Sequence, residues 1–150
     1  MRGFEIAKGW EDKDINLPIR KTKHAAGYDF EAAEDITIES FKLGDAPAFV
    51  KTGIKAYMED DEYLMLANRS SNPKKKGLIM ANSVGIIDKD YYNNPDNDGH
   101  IMFTYYNFKS EPVSIKKGEV IGQGIFMKYL ISDDDVAEGE RTGGFGSTNK

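Results

Sequence analysis

The chain has 150 residues, enough for one domain with a hydrophobic core but hardly for two. Hydrophobic residues make up 39% and charged residues 30%, which is typical of a soluble globular protein, and no apolar run is long enough to span a bilayer. The net charge of −5 argues against a nucleic acid bound over a large surface, and the lack of cysteine excludes disulfides and thiolate metal sites. No signal peptide opens the chain, so we expect a cytoplasmic protein, in a bacterium or in the host of a virus or phage.

Short alternating segments in the first half predict antiparallel strands. Phe4 to Ala7 is a short candidate, whereas Asp35 to Ile38 and Ala48 to Tyr57 alternate polar and apolar residues. The segment Ala26 to Phe30, which precedes the second of these candidates, places two small residues before a tyrosine and an aspartate. By itself this pattern is typical of a turn that enters a strand.

A cationic cluster follows the next predicted strand, Tyr63 to Ala67. Arg69, Ser70 and Ser71 stand where that strand ends, and guanidinium and hydroxyl groups together suit an anionic oxygen. Lys74 to Lys76 then predict about one helical turn. Three lysines in a row are usually solvated, although they also raise the local concentration of phosphate groups.

The segment Met80 to Tyr92 holds the strongest candidate for chemistry. Its apolar residues resume at Val84 to Ile87 and stop at Asp88, as in a buried strand that ends at the rim of a pocket. If the strand continues, Asp88 and Asp90 share one face, and the following tyrosine turns to the other. The alternative interpretation of this segment is a plain strand followed by an acidic turn.

The next segments predict a hairpin tip and three further strands. Asn93 to Gly99 is rich in turn-forming residues but lacks the spacing of a calcium-binding loop. Ile101 to Phe108 is an aromatic strand, and Val113 to Ile115 with Val120 to Met127 forms a closing hairpin.

A tail of different composition ends the chain. Ser132 to Asp135 is an acidic connector, and the glycine-rich stretch Arg141 to Thr148 can wrap backbone N–H groups around phosphate, although its spacing is not that of a Walker loop. We therefore expect a β-barrel domain at residues 1–131 and a mobile arm at residues 132–150. Because no helical pattern exceeds about two turns, the fold class is predicted as all-β, a sandwich or barrel.

Five segments, taken in order, resemble the motifs of the trimeric dUTP diphosphatase (dUTPase) family. Motifs one to five are Ala26 to Phe30, Arg69 to Ser71, Gly85 to Tyr91, Gly118 to Gln123 and Arg141 to Thr148. The chain departs from the family pattern at Val120, where arginine is usual, and at Asn149, where glycine is usual. Its glycine loop is one residue shorter than in many members, and its hairpin tip at Asn93 to Gly99 is longer.

The resemblance implies a jelly-roll-like, distorted β-barrel of the β-clip type with a flexible glycine-rich C-terminal arm. It also implies a homotrimer that hydrolyses dUTP to dUMP and pyrophosphate with Mg²⁺. The three active sites would each take motifs from more than one chain, with motif three and motif five of one site on different chains.

Residue roles follow from the same resemblance. Asp88 would deprotonate the water that attacks the α-phosphorus, and Asp29 would hold Mg²⁺ through water. The residues that would bind phosphates are Arg69, Ser70, Ser71, Gln123, Arg141, Gly146, Ser147 and Thr148. The residues that would bind the nucleoside are Asn82, Gly85, Ile86, Ile87, Tyr91, Ile101, Met102 and Phe145, with Tyr91 under the deoxyribose and Phe145 over the uracil.

Two alternatives remain open at this point. A dCTP deaminase, or a bifunctional deaminase and diphosphatase, shares the barrel and resembles Arg69 to Ser71 and Ile121 to Gln123. The glycine-rich tail and the Asp88 to Tyr91 segment favour the diphosphatase. The other alternative is a nucleotide-binding trimer that acts by docking a regulatory protein partner through Asn93 to Gly99.

Overall fold

Antiparallel sheets build the chain between residues 1 and 144, the part that a computed structural model describes. The first sheet contains, in spatial order, β1 (Gly3–Ile6), β4 (Ala48–Tyr57), β8 (Ile101–Asn107) and β6 (Leu78–Met80). The second contains β2 (Tyr28–Glu31), β10 (Val120–Lys128), β5 (Glu62–Ala67) and β7 (Gly85–Asp88). A small third sheet pairs β3 (Ile36–Ile38) with β9 (Val113–Ile115). The described helices are α1 (Asn72–Lys76) and a 3₁₀ turn (Lys89–Tyr91).

The all-β prediction is confirmed, and the predicted strands occur close to their expected positions. The predicted closing hairpin is wrong, because β9 pairs with β3 whereas β10 pairs with β2 and β5 in another sheet. Where one helical turn was expected, α1 begins at Asn72 with a proline in its first turn and ends at Lys76. Gly77 caps its C-terminus with a φ of 66°, which suits glycine. None of the helices among residues 1–144 is long and apolar enough to cross a membrane.

The segment Met80 to Tyr92 differs from its prediction. It leaves the first sheet after β6, turns through Ser83, whose φ is 58°, and enters the second sheet as β7. The strand does not continue past Asp88, because its partner β5 begins at Glu62, one residue beyond the pair that Asp88 forms with Tyr63. The chain coils into the 3₁₀ turn instead, so a strand alternation does not describe Asp90.

The core lies between the first two sheets. Phe30 of the second sheet and Phe103 of the first are both fully buried, with ring centroids 5.5 Å apart. Phe103 in turn stacks on Tyr105 at 6.4 Å. Burying side chains of this size stabilises each by about 1.5–3 kcal/mol, so this contact fixes how the two sheets, and the motifs on them, face each other.

His100 is buried at the start of β8 as a neutral residue. Its Nε2 accepts a hydrogen bond of 2.9 Å from the backbone N–H of Gly53, and its ring lies 5.3 Å from that of Trp10. Burial, with a smaller effect from the charge of Lys51, lowers the pKa of His100 from 6.5 to about 4. Protonation would remove the acceptor and place a charge in the core.

We expect His100 to make the protein less stable in mild acid. Since its folded pKa lies below its unfolded pKa, its contribution is complete above about pH 6.5 and is lost as the pH falls toward 4. The loss between pH 7 and pH 5 should be about 2 kcal/mol. Urea unfolding of the parent and of His100→Gln, which keeps an acceptor but does not titrate, measures it. The matched control is His24→Gln at an exposed histidine; an equal pH dependence in parent and His100→Gln would contradict this account.

Candidate active site

One end of the second sheet brings three of the predicted motifs together. Gln123 on β10 pairs with Asp29 on one side and with Ala67 on the other. Directly paired residues share a face of the sheet, so motif one, motif four and the end of the strand that leads into motif two meet on its outer surface. The approach is close, because a Cβ at Gly27 would lie 2.1 Å from the Gln123 Oε1.

Buried amide groups hold motif two against motif four. Asn72 is 1% exposed, and its Nδ2 donates to the Asn68 Oδ1 at 2.8 Å and to the Ile121 carbonyl at 2.9 Å. The hydroxyl of Tyr105 donates to the same carbonyl, and burial raises the pKa of this tyrosine, which keeps it a donor. The Gln123 Nε2 donates to the Asn68 carbonyl at 3.1 Å. The sequence reasoning missed Asn68 and Asn72, and two amides flanking a cationic motif are the signal that could have found them.

The resulting cluster presents groups for an anion. Arg69 uses its Nη1 for the Val120 carbonyl at 3.3 Å, and the rest of its guanidinium has no partner among residues 1–144. The side-chain hydroxyls of Ser70 and Ser71 are likewise unbonded within that range. Val120 thus supplies a backbone acceptor for the arginine of motif two, at the position where the family usually has an arginine of its own. We call Arg69, Ser70, Ser71 and Gln123 the anion cluster.

Asp29 pairs directly with Gln123 of the anion cluster across strands β2 and β10. It is half-buried, and its carboxylate has no hydrogen bond or ion pair with the described part of the chain. No group of three or more His, Asp or Glu side chains that could hold a metal occurs among residues 1–144. A single carboxylate of this kind fits a role in holding water molecules of a metal ion whose direct ligands come from phosphates.

The opposite end of the second sheet carries Asp88. Its Oδ2 accepts a hydrogen bond of 2.8 Å from the Arg141 Nη2, while the Arg141 Nε donates to the Asp90 Oδ1, also at 2.8 Å. The two carboxylates are 54% and 59% exposed, whereas the arginine side chain is only 11% exposed. The resemblance implied that motif five serves motif three of another chain, but this arginine contacts motif three of its own.

The two ends lie far apart within one chain. Asp88 pairs with Tyr63 and Gln123 pairs with Ala67, so the two are four residues apart along β5 and on opposite sides of it. At about 3.3 Å per residue and 4.8 Å per strand spacing, their Cα atoms are roughly 16 Å apart. A half-buried to exposed apolar band of Ile86, Met65 and Ile125 separates them on this outer face.

Tyr91 is buried beside Asp88. Its hydroxyl donates to the His100 carbonyl at 2.6 Å and accepts from the Asn97 Nδ2 at 2.8 Å. The guanidinium of Arg141 lies over its ring, 5.8 Å from the centroid. Burial raises the pKa of Tyr91, so the hydroxyl stays protonated.

The other residues that were predicted to bind the nucleoside differ in how far they are exposed to solvent. Asn82 is exposed in the turn before β7 and lies 3.4 Å from the Thr104 hydroxyl, and Ile86 is 54% exposed. Gly85 and Ile87 are buried, and Met102 is half-buried. Ile101 is 0% exposed and its carbonyl already accepts from Thr52, so its side chain belongs to the core rather than to a ligand site. Phe145, Gly146, Ser147 and Thr148 lie outside the described residues.

The structure is thus that of an all-β protein in which the anion cluster lies at one end of the second sheet and the exposed carboxylate of Asp88 at the other. The dUTPase family model matches residues 13–149. A deoxyuridine 5'-triphosphate nucleotidohydrolase of Lactococcus lactis is 53% identical over 150 residues, which cover 99% of this chain and 97% of that relative. The corresponding protein of Neisseria meningitidis is 32% identical over 139 residues, which cover 88% of this chain and 87% of that relative.

Solved structures agree with the sequence matches. The crystal structure of dUTPase from Streptococcus mutans superposes with a TM-score of 0.80 and 48% identity, covering 87% of this chain and 98% of that one. A dUTPase from phage phi11 of S. aureus has a TM-score of 0.72 at 18% identity, covering 93% of this chain and 97% of that one, which supports the fold alone. The chain therefore belongs to the dUTPase family.

Proposed function

We propose that this protein hydrolyses dUTP to dUMP and pyrophosphate, at sites built between the chains of a homotrimer. The relatives that carry this activity in their name match nearly the whole chain. The observation that carries the proposal is the separation of Asp88 from the anion cluster within one chain, by roughly 16 Å.

A second copy of the chain would close this gap. The triphosphate of one nucleotide cannot place its α-phosphorus at both ends of the sheet, so the anion cluster of one chain has to meet Asp88 of another. The apolar band on the outer face of the second sheet is suited to such a contact, since burying it stabilises an association by roughly 25 cal/mol per Å². A closed ring of three copies satisfies every such contact.

Asp88 is the proposed general base. Its half-exposed carboxylate would take the proton of the attacking water as the new P–O bond forms. Pyrophosphate leaves from the α-phosphorus on the opposite side. Because Arg141 donates to the Asp88 carboxylate, the arginine would have to turn toward the phosphates before the water can take its place.

The anion cluster is proposed to bind the α- and β-phosphates. Guanidinium gives charge and two parallel donors, and the serine hydroxyls and the Gln123 amide give short directional hydrogen bonds. Arg141, with Gly146, Ser147 and Thr148 of the arm, would hold the γ-phosphate. Positioning and charge neutralisation account for most of the rate enhancement in phosphoryl transfer.

Asp29 is proposed to hold Mg²⁺ through its bound water. When bound, the ion would be coordinated by the phosphate oxygens and would neutralise part of their charge. The unpartnered carboxylate beside the anion cluster is what supports this role.

The nucleoside is proposed to lie on the turn before β7 and on the strand β8. The Asn82 amide and backbone groups near Gly85 to Ile87 would match the O4 and N3–H pattern of uracil, with Met102 close by. Tyr91 would pack under the deoxyribose, and a ribose 2′-hydroxyl would collide with it. A sugar that packs there displaces the guanidinium of Arg141 from the ring.

We expect dUTP to be the preferred substrate by a wide margin. Cytosine inverts the hydrogen-bond pattern of uracil, so dCTP would leave hydrogen-bonding groups of the binding site unpaired. The kcat/KM for dCTP should therefore be lower than that for dUTP by a factor of about 10⁴. Pyrophosphate release from the four common dNTPs, dUTP and UTP measures this, and an ammonia assay with dCTP tests the deaminase alternative. Ammonia release, or equal hydrolysis of dCTP and dUTP, would overturn the proposal.

A cytoplasmic location stays a prediction from the sequence. No observation on the described residues supports the alternative of a regulatory partner that docks at Asn93–Gly99.

A further inference from the structure

The side chain of Gln123 in the anion cluster is held from two sides. Its Nε2 donates to the main-chain carbonyl of Asn68 at 3.1 Å. Its Oε1 lies against Gly27, where an added Cβ would be only 2.1 Å away. Because only the NH₂ end of an amide can donate to a carbonyl, these two contacts fix which end of the amide faces which neighbour. The second N–H of Nε2 has no partner in the part of the chain that the structure describes.

The acceptor for Gln123 belongs to a peptide unit that is fixed at both of its polar groups. The C=O of the Asn68–Arg69 peptide accepts from Gln123, and its N–H donates to the Asn68 Oδ1 at 2.9 Å. The Asn68 Nδ2 donates to the Leu78 carbonyl at 2.9 Å, which ties this side chain to the start of β6. Rotation of the peptide unit would break both of its hydrogen bonds, so the position of the acceptor is well defined.

Gly27 provides the space for the other end of the amide. It is buried, just before β2, and its φ lies outside the left-handed region, so the main chain itself does not require glycine here. The nearest atoms that a Cβ would meet are the Oε1, Cδ and Cβ of Gln123, at 2.1, 2.9 and 3.0 Å. An alanine at this position would therefore displace the glutamine amide while the main chain keeps its conformation.

The orientation of this amide decides which kind of ligand it can meet. Gln123 shares the outer face of the sheet with Asp29, and the guanidinium of Arg69 lies close to the same strand, 3.3 Å from the Val120 carbonyl. A free N–H beside a guanidinium suits an oxygen that carries negative charge, whereas a free amide oxygen would repel that oxygen and attract a cation. The carboxylate of Asp29 is thus left as the group for a cation, and Gln123 as a group for an anion.

We propose that Gly27 and Asn68 are positioning residues, which orient the Gln123 amide as a hydrogen-bond donor to a phosphate oxygen. Both act through Gln123 rather than on the phosphate. The identity of the natural ligand rests on the proposed function, whereas the orientation of the amide does not.

Gly27→Ala tests the inference directly, because the atoms nearest to the added Cβ all belong to Gln123. The dissociation constant of inorganic pyrophosphate, measured by calorimetry with Mg²⁺, should rise about 10- to 100-fold, which corresponds to one hydrogen bond to a charged group. In a Gln123→Ala background the same substitution should have little further effect, since no amide is left to displace. Urea unfolding verifies that each variant is folded. Parental affinity in Gly27→Ala, or an equal loss in both backgrounds, would overturn the role of Gly27.

Asn68→Ala tests the second positioning residue through the same cycle. It removes the Oδ1 and Nδ2 that fix the peptide unit, so pyrophosphate should bind more weakly in the parent background than the Gln123→Ala background would predict from additivity. The matched control is Asn16→Ala, at an exposed asparagine whose side chain bonds only Glu31 among the described residues. This control should bind pyrophosphate as the parent does. Strictly additive losses for Asn68→Ala and Gln123→Ala would overturn the role of Asn68.

Gln123→Glu tests whether the amide acts as a donor. The carboxylate has nearly the same size and lacks the N–H groups, and its charge repels an anion. Pyrophosphate should therefore bind more weakly to Gln123→Glu than to Gln123→Ala. Binding to Gln123→Glu with the parental affinity would overturn the donor role.

An NMR measurement reads the orientation without any nucleotide. The Nε2 protons of Gln123, assigned by the loss of their signals in Gln123→Ala, should show stronger nuclear Overhauser contacts to protons of Asn68 and Arg69 than to the Hα of Gly27. Pyrophosphate should shift these signals in the parent and much less in Gly27→Ala. Stronger contacts to Gly27, or no shift with pyrophosphate in the parent, would overturn the inference.

Failure of this inference and failure of the proposed function give different results. If the parent hydrolyses dUTP and Gly27→Ala keeps the parental pyrophosphate affinity and KM, the inference alone is overturned. If pyrophosphate shifts the Gln123 signals but the parent releases no pyrophosphate from dUTP, the inference is supported and the proposed function alone is overturned.

Discussion

Asp88→Asn is expected to lower the turnover of dUTP by about 10² to 10⁴ while the trimer and nucleotide binding are kept. The amide preserves the shape of the side chain but cannot take a proton from water. Because Asp88 is 54% exposed at the end of β7, and Asp90 still pairs with Arg141, the change should lower the free energy of unfolding only slightly. Steady-state pyrophosphate release and nucleotide binding, measured on the same preparation, separate chemistry from affinity.

The matched control for this result is Asp12→Asn, at an exposed aspartate that has no role in the proposed site. It should hydrolyse dUTP at the parental rate. If Asp88→Asn also turned over at the parental rate, Asp88 would not be the base, and the carboxylate of Asp90 would be the next to test.

Tyr91→Ala is expected to have two independent effects, one on stability and one on the discrimination against UTP. The side chain is 6% exposed, so its removal leaves a cavity and should lower the free energy of unfolding by about 3–5 kcal/mol. It also removes the ring proposed to exclude a 2′-hydroxyl, so kcat/KM for UTP should rise relative to that for dUTP. Urea unfolding measures the first effect, and kinetics with both nucleotides measures the second.

Tyr91→Phe distinguishes the ring from the hydroxyl. It keeps the ring but leaves the His100 carbonyl and the Asn97 amide without their partner, which should cost about 1–3 kcal/mol. Discrimination against UTP should remain as in the parent. An unchanged ratio of UTP to dUTP in Tyr91→Ala would contradict the packing of the sugar on this residue, even if the stability loss is found.

Local sequence was enough to predict the strands and the motifs. The alternation in Ala48–Tyr57 and the apolar run that stops at Asp88 are local signals, since side chains on a strand alternate between faces. The order of five short motifs was sufficient to indicate the family, which the match over residues 13–149 confirms. Ile101 shows the limit of this reasoning, because its position beside Met102 did not reveal that its side chain is fully buried.

Only the tertiary structure decided how the motifs are distributed. Strands β7 and β10 pair with β5 from opposite sides, and this register places Asp88 roughly 16 Å from Gln123 although both face the same surface. Register depends on which distant segments share a core, so no local pattern around Asp88 contains it. The position of residues 129–144 was equally hidden from the sequence, because they have no regular structure and are held by contacts with distant residues: Arg141 pairs with Asp88 and Asp90, and the Gly144 N–H donates to Asp96. The sequence by itself therefore determined the strands and the family and predicted Asp88 as the reactive carboxylate, whereas non-local strand pairing and charge contacts decided which of the motifs meet within the chain.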